Sequence, residues 1–139
     1  MGKQSIVTHV GVVHPWLCDA MGHLNVRHYA AMFDDASFQI LGRIANATSA
    51  ESGLGWAAVR MEIDFKHEVP ADKLVTIRSS VETIGTSSLT CKHEMRGTLD
   101  DILHAMVRTV TVRFDLSARS KRALDPDERM RAESLYVVD

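Results

Sequence analysis

A short loop of the sequence brings an acidic side chain next to the predicted start of a helix. Asp19, Gly22, His23 and Asn25 precede an apolar periodic segment that begins at Val26. The first turn of a helix presents free backbone N–H groups and the positive end of the helix dipole. Such groups can hold a developing oxyanion, and a nearby carboxylate can attack a carbonyl or activate water. The pattern therefore predicts an acyl-transfer site formed by Asp19 and the backbone amide of Val26.

Each side chain of this loop also has a purely structural interpretation. A loop aspartate most often caps a turn or is solvated, so Asp19 by itself does not establish catalysis. We expect Asn25 to be the N-cap of the helix, which would position the Val26 amide. His23 would donate a hydrogen bond to the substrate, orient Asp19 or only stabilise the loop. The residue types leave these alternatives open.

A thiol and several imidazoles in the same region suggest two other kinds of site. Cys18 near a histidine could act as a nucleophile, but it adjoins Asp19, and we expect only one of these two side chains to face a substrate. His14, His23 and His28 match no familiar spacing of metal ligands. We therefore expect neither a metal ion nor a cofactor.

The periodicity of the chain predicts the elements that position this loop. Residues 5–13 are β-rich and predict a first strand. From Val26 the apolar residues recur at three- and four-residue steps, which predicts a long helix that stops near Asn46. Because this helix is apolar on more than one side, we expect it to be buried, and Asp34 and Asp35 would then need partners.

The next part of the chain alternates with a period of two. Apolar residues from Val59 to Val69 share one side of a strand and charged residues share the other, which predicts an antiparallel sheet with one face buried. A second copy of the chain would cover surface that one helix leaves open. Further strands are predicted over residues 74–84, 88–95 and 104–116, followed by a helix that starts near Pro126.

Length, charge and composition limit the kinds of protein that this chain can be. The 139 residues suit one domain, which we take to span residues 1–139. The net charge of -2 argues against nucleic acid as a partner. The chain has two cysteines, an N-terminus without an apolar signal region, and no apolar run that approaches the roughly 20 residues of a membrane span. We therefore expect a cytoplasmic protein without a membrane partner.

The segment from Cys18 to Tyr29 resembles the signature of the 4-hydroxybenzoyl-CoA thioesterase-like family of hotdog proteins. In that signature an Asp is followed by Gly three residues later, often by His and Asn, and by Tyr ten residues on. The similarity continues more loosely over nearly the whole chain. The matching positions are Asp19, Gly22, His23, Asn25 and Tyr29, and the looser matches are Met32–Ser37, Ile63–Phe65, Pro70–Leu74, Ile84–Leu89, Val112–Asp115 and Pro126.

The resemblance implies a fold, an assembly and a reaction. The fold is the α+β hotdog fold, in which an antiparallel sheet of about five strands wraps one long central helix. Two copies would pair their sheets edge to edge as a homodimer, with a homotetramer as the expected assembly, and the active site would lie at the dimer interface. The reaction would be hydrolysis of an acyl-CoA thioester, with Asp19 as nucleophile or general base and the Val26 N–H group polarising the carbonyl.

Six further residues are candidates for contact with the substrate. Two aromatic side chains would border the acyl group, although core packing is their ordinary role. Two serines would lie near the pantetheine or the nucleotide, although turn hydroxyls often cap backbone. Two basic side chains would meet the CoA phosphates, although such charges are usually only solvated. These pairs are Tyr29 and Trp56, Ser87 and Ser88, and Lys66 and Arg113, with Lys121 and Arg122 as further basic candidates.

Two alternative functions fit the same fold. A hotdog hydratase or dehydratase would also act on acyl thioesters, but those relatives typically have an Asp-x-Asn-Pro-x-His type of motif, and no proline follows Asp19 in Asp19-Ala20-Met21-Gly22. A non-catalytic acyl-CoA-binding protein would bind the ligand without hydrolysing it. The sequence does not predict the acyl group.

Overall fold

The computed structural model describes residues 5–137, and one long helix packs against an antiparallel sheet at its centre. The strands lie in the order β1-β3-β4-β5-β2, with a short β6 paired to β5. This arrangement confirms the predicted α+β fold. The elements are β1 (Ile6–Val12), α1 (Val26–Ala45), α2 (Ser49–Ser52), β2 (Leu54–Phe65), β3 (Leu74–Ile84), β4 (Ser88–Gly97), β5 (Leu103–Asp115), β6 (Ser120–Lys121) and α3 (Pro126–Glu133).

Both ends of α1 lie where the sequence predicts them. The side chain of Asn25 accepts a hydrogen bond from the backbone N–H of Arg27 at 3.1 Å, which confirms it as the N-cap. Asn46 ends the helix in the left-handed conformation, with φ of 53°, and its N–H bonds to the Gly42 carbonyl. Asparagine tolerates this conformation better than most residues. The start of α1, which the acyl-transfer hypothesis needs, is thus fixed by local sequence.

The prediction that α1 is buried on more than one side is wrong. Its buried residues form one stripe that faces the sheet, from Tyr29 through Phe33 and Ile40 to Ile44. The opposite side is open: Asp34 is exposed, and so is Asp35. Phe38 is 71% exposed. The two aspartates therefore need no buried partner, because water reaches them.

Strand β4 shows how the sheet divides into two faces. Its residues alternate strictly between buried and half-buried along the whole strand. The buried set contacts α1, while the other set carries charged side chains on the outer face. Neighbours on both sides, β3 and β5, pair with β4 over almost its full length. The inner set is Leu89, Cys91, His93 and Met95, and the outer set includes Lys92, Glu94 and Arg96.

Strand β2 does not have the buried face that its alternation predicts. It pairs with β5 along one side only and forms an edge of the sheet. Its apolar residues lie on the same face as α1, but the helix covers little of them. Phe65 meets Tyr29 of α1 and is still 53% exposed, and Val59 is 61% and Met61 41% exposed. A β-bulge between Ala58 and Arg60 also interrupts the regular pairing of β2 with β5. The alternation therefore predicts correctly which residues of β2 share a face, but the prediction that this face is buried is wrong.

A chain of buried hydrogen bonds crosses the inner face of four strands. The Thr8 and Ser79 hydroxyls lie 2.8 Å apart, Ser79 lies 2.5 Å from His93 Nδ1, and His93 Nε2 lies 3.0 Å from the Thr109 hydroxyl. Thr8 also donates to the carbonyl of Ile77 at 3.2 Å. One direction satisfies every donor: Thr109 donates to Nε2, Nδ1–H donates to Ser79, Ser79 donates to Thr8, and Thr8 donates to Ile77. The imidazole is therefore neutral with its proton on Nδ1.

Candidate active site

The loop around Asp19 folds into a tight turn that orients the carboxylate. One oxygen, Oδ1, accepts the backbone N–H groups of Met21 at 2.9 Å and His23 at 3.4 Å. The Asp19 N–H donates to the His23 carbonyl at 2.9 Å, and Gly22 N–H returns to the Asp19 carbonyl at 3.0 Å. Gly22 has φ of 80°, which favours glycine at this position. Within residues 5–137 no group donates to Oδ2, so the second oxygen is available to a ligand.

The first turn of α1 supplies the other half of the predicted site. The Asn25 side chain takes the N–H of Arg27, whereas the N–H of Val26 is one of the first four of the helix, which have no partner within it. Val26 is 61% exposed. A carbonyl oxygen placed at this helix end would therefore meet an N–H donor and the positive end of the helix dipole.

One cavity joins Asp19 to the helix start. Its volume is about 260 Å³. The predicted site residues that line it come from the loop, from α1 and from the segment after β2, which the fold brings together. Asn25 does not line it and acts through the cap. The lining residues are Asp19, Met21, His23, Leu24, Val26, Tyr29, Phe65, Lys66, His67 and Glu68.

Tyr29 forms the wall of this cavity on the helix side. Its ring packs edge-to-face on Phe65, with centroids 5.1 Å apart. Burial raises the pKa of Tyr29 above its usual value, and the nearby negative charges of Glu68 and then Asp19 act in the same direction, while a backbone hydrogen bond with Val69 opposes them. The phenol therefore stays protonated at neutral pH, and both carboxylates lie close enough to affect it.

The sequence did not single out Glu68. Its carboxylate Oε2 lies 3.4 Å from Nε2 of His23, and Glu68 lines the same cavity as Asp19. The prediction placed Glu68 on the charged outer side of a strand, but β2 ends at Phe65, and the alternation is lost in the connection that follows. No spacing rule carries a side-chain direction through such a connection.

The family described as the thioesterase-like superfamily matches residues 13–133. This chain belongs to the thioesterase-like superfamily. A search of curated proteins finds no significant match.

Three solved structures, two of them of thioesterases, resemble this member of the superfamily. The Staphylococcus aureus protein SAV2348, solved in complex with CoA, is 13% identical over 98% of this chain and 86% of that chain, with a TM-score of 0.87. The dynemicin thioesterase is 18% identical over 98% and 100% of the two chains, with a TM-score of 0.84. The 1,4-dihydroxy-2-naphthoyl-CoA thioesterase Slr0204 from Synechocystis is 17% identical over 93% and 96%, with a TM-score of 0.78. The superfamily match and these folds confirm the predicted hotdog architecture.

Trp56 of this thioesterase-like protein lies in a second cavity, away from Asp19. This cavity, about 550 Å³, opens between the C-terminal half of α1, α2 and the start of β2, whereas Asp19 lies at the other end of the helix. Phe38, Leu41 and Leu116 also line it. The structure does not bring Trp56 and Asp19 together within one chain, and the predicted contact of Trp56 with an acyl group stays a prediction.

The structure does not support the predicted phosphate contact of Arg113. The residue is only 2% exposed, and its Nε donates to Oε2 of the equally buried Glu128 at 2.7 Å. Its guanidinium also donates to the Gly55 carbonyl at 3.2 Å and lies over the Trp56 ring, 4.6 Å from the centroid. Arg113 therefore anchors α3 and Trp56 to the sheet and cannot reach a surface phosphate. Arg122 donates to the other Glu128 oxygen at 2.9 Å.

The remaining substrate candidates have different positions. Lys66 is exposed and lines the Asp19 cavity, so its predicted role stays open to test. Ser87 and Ser88 lie in the turn between β3 and β4, where the Ser87 carbonyl accepts the N–H of Arg113 at 2.8 Å. Neither serine lines the Asp19 cavity, and their contact with pantetheine stays a prediction.

Cys18 and Cys91 are both free, and burial raises the pKa of Cys91 to about 12, so that thiol is not a nucleophile at neutral pH. Among residues 5–137, no three His, Cys, Asp or Glu side chains converge as metal ligands would. No helix of this same range has the length and apolar character needed to cross a bilayer.

Proposed function

We propose that this chain hydrolyses an acyl-CoA thioester to a free acid and CoA. The observation that supports this most is the orientation of Asp19: two backbone N–H groups hold Oδ1, and Oδ2 is left for a ligand in a cavity that also contains the start of α1. Acyl transfer at a thioester needs a nucleophile or base and a donor for the developing oxyanion, and a carboxylate and a helix N-terminal amide can supply these. Membership of the thioesterase-like superfamily and the CoA bound by the S. aureus protein support the same reaction.

The proposed reaction begins with the thioester oxygen at the Val26 N–H group. Asp19 Oδ2 then attacks the carbonyl carbon, the C–S bond breaks and CoA leaves as its thiolate; water hydrolyses the resulting anhydride to the acid and regenerates Asp19. In the alternative, Asp19 takes a proton from a water that attacks the carbonyl directly. In both versions the negative charge that develops on the thioester oxygen is stabilised by the helix end.

The proposed assembly is a homodimer, and its main support is the position of β2 at the edge of the sheet. This strand runs from the second cavity at Leu54 to the Asp19 cavity at Phe65, and its outer edge has no strand beside it within residues 5–137. If the β2 strand of a second copy pairs antiparallel with this one, the Leu54 end of each strand lies beside the Phe65 end of the other. The second cavity of one copy would then lie beside the Asp19 cavity of the other, and the exposed apolar side chains of β2 would be covered.

The assembly is tested by sedimentation velocity. A dimer at micromolar concentration is expected, with a homotetramer as a further proposed state. Changing Met61 to Lys places a charge among the exposed apolar residues of β2 and is expected to shift the protein toward monomer. A monomer for the unmodified chain at the same concentration would contradict the proposal.

The reaction is tested by a panel of thioesters that spans acetyl-, isobutyryl-, octanoyl-, palmitoyl- and benzoyl-CoA, followed by free thiol release. On the best substrate, Asp19→Asn is expected to lower kcat by about a hundredfold or more, because the nucleophile or base is lost. The matched control is Asp35→Asn, since Asp35 is an exposed carboxylate on α1 outside both cavities. Unchanged turnover in Asp19→Asn would reject the proposed function.

Single turnover in ¹⁸O-labelled water separates the two versions of the reaction. If Asp19 is the nucleophile, water hydrolyses an anhydride between Asp19 and the acyl group, and this acyl-enzyme can be trapped. Attack of water on the Asp19 carbonyl places the label in the Asp19 carboxylate. Attack on the acyl carbonyl places the label in the released acid. If Asp19 is a general base, its carboxylate stays unlabelled and no acyl-enzyme accumulates.

A further inference from the structure

Glu68 and His23 form a pair that connects the β2–β3 segment to the loop of Asp19. The two side chains meet at 3.4 Å, between Oε2 of Glu68 and Nε2 of His23. Their backbones are joined as well, because His23 forms an isolated bridge with Pro70 and Leu24 N–H donates to the Val69 carbonyl at 2.9 Å. The loop that carries Asp19 is thus attached to residues 68–70 at both backbone and side-chain level.

The surroundings of the His23 ring favour one tautomer of the neutral imidazole. Its Nδ1 is enclosed by the protein, and no partner for it is found among residues 5–137. An N–H group without an acceptor is the rarer and costlier kind of buried polar group, so Nδ1 is the atom that lacks the proton. The single N–H of a neutral imidazole then lies on Nε2 and donates to Glu68.

The same geometry shows how His23 acts on Asp19. Since Nδ1 is enclosed and Nε2 faces Glu68, neither ring nitrogen is directed at Asp19. The backbone of His23 makes the contacts instead: its N–H donates to Asp19 Oδ1 at 3.4 Å, and its carbonyl accepts the Asp19 N–H at 2.9 Å. Fixing the imidazole therefore fixes the peptide groups that orient the carboxylate.

We propose that Glu68 is a positioning residue for the reaction, which holds His23 and through it directs Asp19 Oδ2 into the cavity. The inference rests on the proposed function for its kinetic test. What Glu68 contributes is a hydrogen-bond acceptor, so its charge is not required. Glu68 does not act as the base and does not bind the acyl group.

Two substitutions separate the acceptor from the charge. Glu68→Met keeps the length of the side chain but removes the acceptor, and it is expected to lower kcat about tenfold, because small displacements of a reacting group slow catalysis strongly. KM is expected to stay within about twofold, since substrate contacts are unchanged. Glu68→Gln retains an acceptor for Nε2–H and is expected to keep at least about half of kcat.

The matched control is Glu82→Met. Glu82 is also a carboxylate that accepts from a side-chain N–H, that of Arg108 at 3.0 Å, and it does not line the Asp19 cavity. Its kcat and KM are expected to equal those of the unmodified protein. If Glu68→Gln is as slow as Glu68→Met, Glu68 acts through its charge, as a base would, and the proposal is overturned. A rise in KM with kcat unchanged would overturn it in favour of a substrate contact.

A double-mutant cycle tests whether Glu68 acts through His23. In a His23→Ala background the backbone bonds to Asp19 remain, but the imidazole that Glu68 holds is gone. Glu68→Met is then expected to have no further effect on kcat. Additive losses from the two substitutions would show that Glu68 acts independently and would overturn the proposal.

A readout without turnover keeps this inference distinct from the proposed function. The ¹⁵N chemical shifts of the His23 ring are expected to show a protonated Nε2 and an unprotonated Nδ1 in the unmodified protein and in Glu68→Gln. The opposite tautomer would overturn the proposal whatever the enzyme does. If Asp19→Asn is inactive while every Glu68 variant is fully active, only the inference fails; if Asp19→Asn is fully active, the proposed function fails first.

Discussion

Strands β4 and β2 have similar patterns in the sequence and different positions in the protein. Both alternate between apolar and charged or polar residues. The inner residues of β4 lie between two neighbouring strands and under α1, and Met95 among them is 0% exposed. The inner residues of β2 lie at the edge, and Met61 is 41% exposed. The difference shows that a period of two predicts which residues share a face, whereas burial depends on what covers that face.

The two methionines give the largest contrast that can be measured. Met95→Ala leaves a cavity in a fully buried site and is expected to lower the free energy of unfolding by about 2–5 kcal/mol. Met61→Ala removes a partly exposed side chain and is expected to cost less than about 1 kcal/mol in the monomer. Urea unfolding at low protein concentration measures both. Equal losses would mean that β2 is covered within the single chain, which would break the comparison.

His93, on the inner face of β4, is expected to make stability depend on acid. Burial lowers the pKa of His93 from 6.5 to about 4. Between these pH values the unfolded chain binds a proton that the folded protein does not, so the free energy of unfolding falls as pH falls from 6.5 toward 4. The expected loss is about 3 kcal/mol. Above pH 6.5 the imidazole is neutral in both the folded and the unfolded chain, and the free energy of unfolding carries no penalty from His93.

Urea unfolding at several pH values between 7 and 4 checks this expectation. His93→Gln serves as the control, because glutamine is uncharged over the whole range and can still bond to Ser79 or Thr109. Its unfolding free energy should fall less with acid than that of the unmodified protein. Identical pH dependence in the two proteins would show that His93 does not carry the effect.

The smallest effect is expected on the outer face of the sheet. Arg108 donates from Nε to both oxygens of Glu82, at 3.0 and 3.1 Å, but the two side chains are 41% and 39% exposed. Water screens such a pair, so Arg108→Gln is expected to change the free energy of unfolding by less than about 1 kcal/mol. The same urea titration measures it. A loss as large as that of Met95→Ala would mean that the outer face is buried by an assembly.

Local signals predicted much of the fold. Asn25 and Asn46 fixed both ends of α1, because capping depends on residues within one turn. The β3 strand was predicted at its observed bounds, and Asp19 and Val26 do meet at one cavity. These features depend on residues that are close in sequence, where residue type and spacing determine geometry.

Other features depend on contacts between distant parts of the chain. Arg113 belongs to a residue type that usually lies at the surface, but its partner Glu128 belongs to α3. The packing of that helix on α1 and β3 brings Glu128 to Arg113 and buries the pair. Glu68 follows the end of β2, where alternation no longer gives a direction. Trp56 and Asp19 are both predicted to contact the acyl thioester, yet their cavities lie at opposite ends of β2 within one chain.

The position of the two cavities at opposite ends of β2 has a genetic consequence. If the acid group of one copy serves the second cavity of the other, a defect in either cavity affects a site that it shares with its neighbour. Asp19→Asn and a variant that blocks the second cavity, such as Leu41→Trp, would each form inactive dimers when present alone. Mixed in one cell or refolded together, they would form hybrid dimers in which one of the two sites is intact. Co-expression should therefore restore activity by complementation between alleles.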